Sequence, residues 1–170
     1  MSHVDIGSRV DGFVAHLLTF RDVQVIDIRE LGTEISGLKT LVMDLQAQIV
    51  DSPISDSVSS LHSIEHFGLG RYGDQIDVDG HIKGLINISR MVADGGFLYI
   101  SFPIGKVRIE FNAQRVLAPA WPIPILENFE LIDFVLIPWK GQPIFDSNPY
   151  EVDTSIFGQA GLYKFKKVQH

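Results

Sequence analysis

The segment VSSLHSIEHFGLGRYGDQIDVDG, Val58 to Gly80, decides how this chain is read. It opens like a buried strand. It then becomes a polar run that holds four glycines, His62, His66 and several acids. Doubly wound α/β sheets bind their ligands beyond the carboxyl ends of their strands, so reactive side chains just past a strand point to a binding site. A solvated loop is the other reading of the same residues.

Working outward, strands and helices alternate. HVDIG (3–7), VQVIDI (23–28), LKTLVMDL (38–45) and SVSSLHSI (57–64) read as strands, and FLYISFPIG (97–105) as a fifth. Val10 to Phe20 places Val10, Phe13, Val14, Leu17 and Leu18 at helical spacing, and His81 to Ala93 does the same with Ile82, Leu85, Ile86, Ile88 and Met91. Asp94-Gly95-Gly96 is expected to end that second helix, since glycine tolerates the left-handed backbone of a C-terminal cap. FELIDFVLI (129–137) and GLYKFKKV (161–168) are two more strands with no helix between them. The pattern predicts an α/β domain over residues 1–170: a doubly wound, mostly parallel seven-stranded sheet, helices on both faces, and a C-terminal antiparallel hairpin.

Composition narrows the function. The 170 residues carry a net charge of −7 and no cysteine. Disulfides, thiolate metal sites and a cysteine nucleophile are excluded. An acidic chain without a basic stripe is a poor nucleic-acid binder. No apolar run is long enough for a membrane helix, and no secretory signal opens the chain, so a cytoplasmic protein is expected.

The strand ends carry the chemistry. After the first strand, Gly7 and Gly12 bracket the turn DIGSRVDG, where the backbone can approach a ligand and a helix N-terminus offers donors. The spacing is not G-x-G-x-x-G. After the second strand, Asp27 can accept from two ribose hydroxyls, and it lies 20 residues past Gly7, as in a nucleotide-binding β-α-β unit. After the third, Asp44 can accept from an adenine amino group while the Leu45 N–H donates to the ring.

This order of elements resembles the class I S-adenosylmethionine-dependent methyltransferases. DIGSRVDG stands at their glycine-rich first motif, VIDIR at their ribose-binding acid and VMDLQ at their adenine-side acid. DSVSSLHSIEH resembles their fourth-strand motif, and MVADGGFLYISFP their passage into the fifth strand. SLHSIEHFGLGRYGD with EFNAQRV is similar to a bacterial family of methyltransferase-like proteins classed as a domain of unknown function. The resemblance implies a Rossmann-like methyltransferase fold with S-adenosylmethionine held by Asp5, Gly7, Ser8, Arg9, Gly12, Asp27, Ile28, Asp44, Leu45 and His62. It also implies cap helices before the first strand. This chain opens on that strand, and the apolar surface expected there predicts a homodimer.

In that frame His66, with Glu65, is the expected base for methyl transfer to a small polar acceptor, such as a hydroxyl of a sugar or glycan precursor. Arg71, Tyr72 and Asp74 on a mobile glycine loop, with Asn112 and Arg115, are the expected acceptor-side groups. Trp121 and Trp139 read as core or pocket walls. No metal site is expected, because H-x-x-E-H falls here on a strand and loop rather than a helix. Two other readings stay open: a non-catalytic domain that uses its loops for contacts, and a nicotinamide-dependent oxidoreductase.

Overall fold

The computed structural model describes residues 2–32 and 34–169. Strands β1 (His3–Ile6), β2 (Val23–Asp27), β3 (Leu38–Val42), β4 (Ser55–Leu61) and β5 (Val92–Ile104) run parallel. A short hairpin of β6 (Arg108–Glu110) and β7 (Gln114–Val116) follows. Then β8 (Phe129–Ile137) and β9 (Gln159–Lys167) close the main sheet, with β9 antiparallel to both β5 and β8. Among the described residues the sheet order is β3-β2-β1-β4-β5-β9-β8. The order reverses between β1 and β4, and the carboxyl ends of the parallel strands open a crevice there.

Strand alternation sorts the core. Val4 and Ile6 of β1 and Ile26 of β2 join Val58, Leu98, Ile100 and Phe102 under helix α2 (Gly80–Arg90), which contributes Leu85 and Ile88. Val23 and Val25 face the other way and pack beneath helix α1 (Gly12–Leu17) with Val14. On that face β1 is polar. His3 and Asp5 are buried against β4, where Ser59 bonds both and Ser57 bonds the other His3 nitrogen. This supplies the partners that buried polar groups require.

Several expectations are corrected. Helix α1 is shorter than Val10 to Phe20, because Asp11 caps it by accepting from the Phe13 and Val14 N–H groups. Helix α2 ends at Arg90, and Asp94-Gly95-Gly96 belongs to β5. Buried Val92 already pairs with Ser55, and the glycines form an irregularity before Phe97 resumes pairing with Ser57. The fourth strand stops at Leu61, and a single 3₁₀ turn holds Ile64–His66. Among the described residues the β2–β3 and β3–β4 connections contain no helix, and edge strand β3 is largely exposed. Trp121 is partly buried against the core, but Trp139 is exposed and covers Gly158 instead. Among the described residues no helix is long and apolar enough to cross a membrane.

Candidate functional site

The ends of β1, β2, β3 and β4 surround a cavity of about 210 Å³. Its walls include Ile6, Ile26, Met43, Leu45 and Phe67, and its polar groups include Arg9, Asp27, Arg29, Asp44, His62, His66, Tyr72 and Asp74. Apolar walls with a few convergent polar groups are what a small-molecule site needs.

At the end of β1, Gly7 has φ +77°, and a Cβ there would lie 2.5 Å from the Ser63 Cβ. Glycine is thus required both by backbone and by space, and it lets the ends of β1 and β4 meet on the cavity wall. Asp5 lies below this wall, fully buried, and burial raises its carboxyl above the ordinary value while the Ser59 hydroxyl donates to it. Asp5, Ser8 and Gly12 do not line the cavity. The β1 residue that faces it is Ile6, since alternation turns Asp5 to the α1 side.

At the end of β2, Asp27 lines the cavity with its neighbour Ile28. Both its oxygens are engaged by Arg29, Nε at 2.8 Å on Oδ1 and Nη2 at 2.7 Å on Oδ2. The Arg29 backbone N–H adds a third bond to Oδ1 at 2.8 Å. Burial works against the carboxylate, but these bonds and the Arg29 charge outweigh it and hold its pKa below the usual value. The Arg29 guanidinium lies 4.6 Å from the centre of the Tyr72 ring. Sequence reasoning missed Arg29, although it stands in VIDIRE two residues past the acid.

At the end of β3, Asp44 accepts from the Gln46 N–H through Oδ1 at 3.0 Å. Leu45 forms part of the apolar wall, and Asn87 of α2 fixes its carbonyl through a 2.8 Å bond.

Past β4, His62 takes φ +53°, the left-handed region that costs a non-glycine residue strain. Its Nδ1 donates to Glu65 Oε1 at 3.2 Å. Glu65 is buried behind the cavity, and its Oε2 has no hydrogen-bond partner among the described residues. Glu65 does not line the cavity; it lies behind the two histidines, bonded to His62. His66 lines the cavity, and its Nδ1 lies 2.8 Å from the Ala113 carbonyl. A carbonyl only accepts, so Nδ1 carries a proton, and the tautomer with its lone pair on Nε2 is the one this bond selects. Nε2 stands 4.0 Å from Glu65 Oε1.

The loop that follows is not a slack glycine lid. Asp74 accepts from the N–H groups of Gly68, Gly70 and Tyr72. A Cβ on Gly68, at φ +76°, would lie 2.0 Å from the Asp77 carbonyl oxygen. Asp74 lines the cavity, but its carboxylate is committed to the loop. Buried Arg115 bonds the Phe67 carbonyl and reaches those of Asp77 and Val78, so it anchors the loop from β7. Asn112 sits at the β6–β7 turn with φ +51°, and its carbonyl and that of Ala113 accept from Arg71. Arg71, Asn112 and Arg115 do not line the cavity, because the segment 108–116 folds back as a hairpin instead of running extended along it. Tyr72 does line it, with its ring edge-on to His66 at 5.5 Å. Among the described residues no group of three or more His, Cys, Asp or Glu side chains is arranged to hold a metal ion.

The sheet order and the reversed last strand define the class I S-adenosylmethionine-dependent methyltransferase fold. Within it, the chain belongs to the family described as Caenorhabditis protein of unknown function, DUF268, whose model matches residues 12–136. No curated protein matches it in sequence. Solved structures match over almost its whole length. The N-methyltransferase NodS from Bradyrhizobium japonicum, in complex with S-adenosylhomocysteine, is 17% identical with a TM-score of 0.66, over 99% of this chain and 78% of that one. The 1,6-didemethyltoxoflavin-N1-methyltransferase of Burkholderia thailandensis, also with S-adenosylhomocysteine, is 13% identical with a TM-score of 0.66, over 99% and 71%. The [4+2]-cyclase SpnF is 9% identical with a TM-score of 0.69, over 99% and 76%. That one of these is a cyclase shows that the fold alone does not fix the reaction.

Proposed function

We propose that this chain is an S-adenosylmethionine-dependent methyltransferase whose acceptor is a hydroxyl of a small polar molecule, such as a sugar or glycan precursor. The observation that carries the reading is convergence: Gly7, Asp27, Asp44 and His66 come from four strand ends and meet around one cavity. The donor set fits the cofactor's parts. Asp27 would take ribose hydroxyls, Asp44 the adenine amino group, the Leu45 and Met43 walls the ring, and the open backbone at Gly7 the amino-acid end. When bound, the cofactor supplies an electrophilic methyl group on a sulfonium.

The chain's own part is to position the acceptor and take its proton. A hydroxyl becomes a better nucleophile as a base removes its proton late in the transfer. His66 accepts it at Nε2, since Nδ1 is held on the Ala113 carbonyl. Buried Glu65 lies beside the cation so formed and stabilises it.

A second reading, a domain that keeps the fold without the transfer, has one observation in its favour: Arg29 already engages both Asp27 oxygens. The experiment that separates the two supplies methyl-labelled S-adenosylmethionine and a panel of sugars, polyols and small amines to the purified chain. Label on a hydroxyl acceptor supports the proposal. Label found on amines alone sinks the hydroxyl assignment, and label retained on the cofactor with every acceptor favours the second reading.

A further inference from the structure

A line of side chains crosses the cavity from the candidate cofactor acid to the candidate base. Asp27 holds the Arg29 fork, the guanidinium lies over the Tyr72 ring, and the edge-on contact joins Tyr72 to His66. Carboxylate oxygens offer about four acceptor positions between them. Three are filled by Arg29: its N–H and Nε on Oδ1 and Nη2 on Oδ2. A ribose diol needs two, so the diol and the fork cannot both be served in full. Tyr72 is the counterweight. By stacking on the guanidinium it favours the paired position of Arg29, an attraction typical of a cation over an aromatic face.

We propose that Arg29 and Tyr72 form a latch that sets cofactor affinity and couples it to the acceptor side of the cavity. This rests on the reading of Asp27 as the ribose-binding residue. Ribose displaces the Arg29 fork. Arg29 then no longer holds Tyr72, and the ring, left with only the more distant Arg71 guanidinium at 5.6 Å, can move from the His66 edge. Acceptor access to His66 thus follows cofactor entry, which makes binding ordered, cofactor first. The moving part is small. It is the Tyr72 side chain: Asp74 holds the Gly68, Gly70 and Tyr72 N–H groups and the Asn112 and Ala113 carbonyls hold Arg71, so the backbone stays in place while the ring turns about its own side-chain torsions. Arg29 and Tyr72 are positioning residues in this scheme, and Tyr72 acts on the cofactor only through Arg29.

The test is a mutant cycle read by calorimetric titration with S-adenosylhomocysteine. Arg29→Ala is expected to bind it roughly three- to tenfold more tightly than wild type, the scale of a partly exposed bidentate pair removed from competition. Tyr72→Ala is expected to tighten binding by a smaller factor. The double variant should bind no more tightly than Arg29→Ala alone, because a residue that acts through another is not additive with it. Arg29→Lys, which keeps the charge and loses the fork, should fall between wild type and Arg29→Ala, and it serves if the alanine variant folds poorly. If wild type binds and Arg29→Ala binds equally or more weakly, the latch is overturned while the cofactor reading stands. A weaker Tyr72→Ala overturns it too, since the ring would then touch the cofactor itself. If no variant binds, the cofactor reading and the latch fall together. Binding by Arg29→Ala where wild type shows none would support the latch in its strongest form.

Discussion

At Ala113 a single carbonyl selects the tautomer of the candidate base. It accepts from His66 Nδ1 at 2.8 Å, and this leaves Nε2 as the nitrogen that can take a proton. The His66→Ala variant should therefore lose roughly a hundredfold or more in turnover, the usual scale for a positioned base, with its affinity for S-adenosylhomocysteine nearly intact. Steady-state kinetics with the acceptor found in the panel, beside a calorimetric titration, measures both. Full turnover in His66→Ala would remove the assignment. The position of His66 was legible in the sequence because it follows a strand end. Its tautomer was not, because the partner carbonyl lies 47 residues away in the β6–β7 hairpin. Asp27 was legible for the same reason as His66. That Arg29 would fold back on it was not, since an i,i+2 pair past a strand meets only if the chain turns there.

The glycine-rich loop was legible as a loop, but not as a rigid one. Glycines in a polar run look like freedom, and at Gly73 a Cβ would indeed meet nothing within 4 Å. At Gly68 the same run is packed against the Asp77 backbone. The two positions give opposite expectations. Gly73→Ala should cost about 1–2 kcal/mol, the price of a left-handed alanine. Gly68→Ala adds a backbone clash that only movement of the loop relieves, and should cost about 2–4 kcal/mol. Urea unfolding of both variants measures this, and equal losses would show that the packing of Gly68 is unimportant. Helix α2 acts on the same scale. Its periodicity announced a helix, yet its polar residue Asn87 is what ties the Leu45 and Gln48 carbonyls to it. A lone asparagine on an apolar face carries no signal for that in sequence.

Across the whole molecule, the mostly parallel sheet was legible from the alternation of strand and helix patterns, and the final antiparallel hairpin from the missing helix between its strands. The two helix-free crossovers were not, because short connections leave no periodicity to read. The interior also hides charge-sensitive groups from the sequence. Burial, with the Arg115 charge second, pushes His81 down to about 4, and burial with Arg21 does the same to His3. A histidine depressed in the fold stays neutral there while the unfolded chain takes up its proton. Its contribution to stability is fully present above pH 6.5 and is lost as pH falls toward about 4. Asp5, raised by burial, has the opposite sign and loses stability as pH rises above 3.8. Comparison of wild type with His81→Phe cancels the other groups and keeps an aromatic ring on Trp121, on which His81 stacks at 5.3 Å. Between pH 6.5 and 4 the wild type should lose stability faster than the variant by about 1 kcal/mol per pH unit. Parallel profiles would show that His81 charges freely within the fold.

The central claim is that the four strand ends form a cofactor site with Asp27 at its ribose end. Calorimetric titration of the wild type and Asp27→Ala with S-adenosylhomocysteine tests it most directly. The account predicts saturable binding at one site per chain, weakened by about 1–3 kcal/mol in the variant, the scale of charge-assisted hydrogen bonds. No binding by either the wild type or Arg29→Ala, or equal affinity in the wild type and Asp27→Ala, would contradict it.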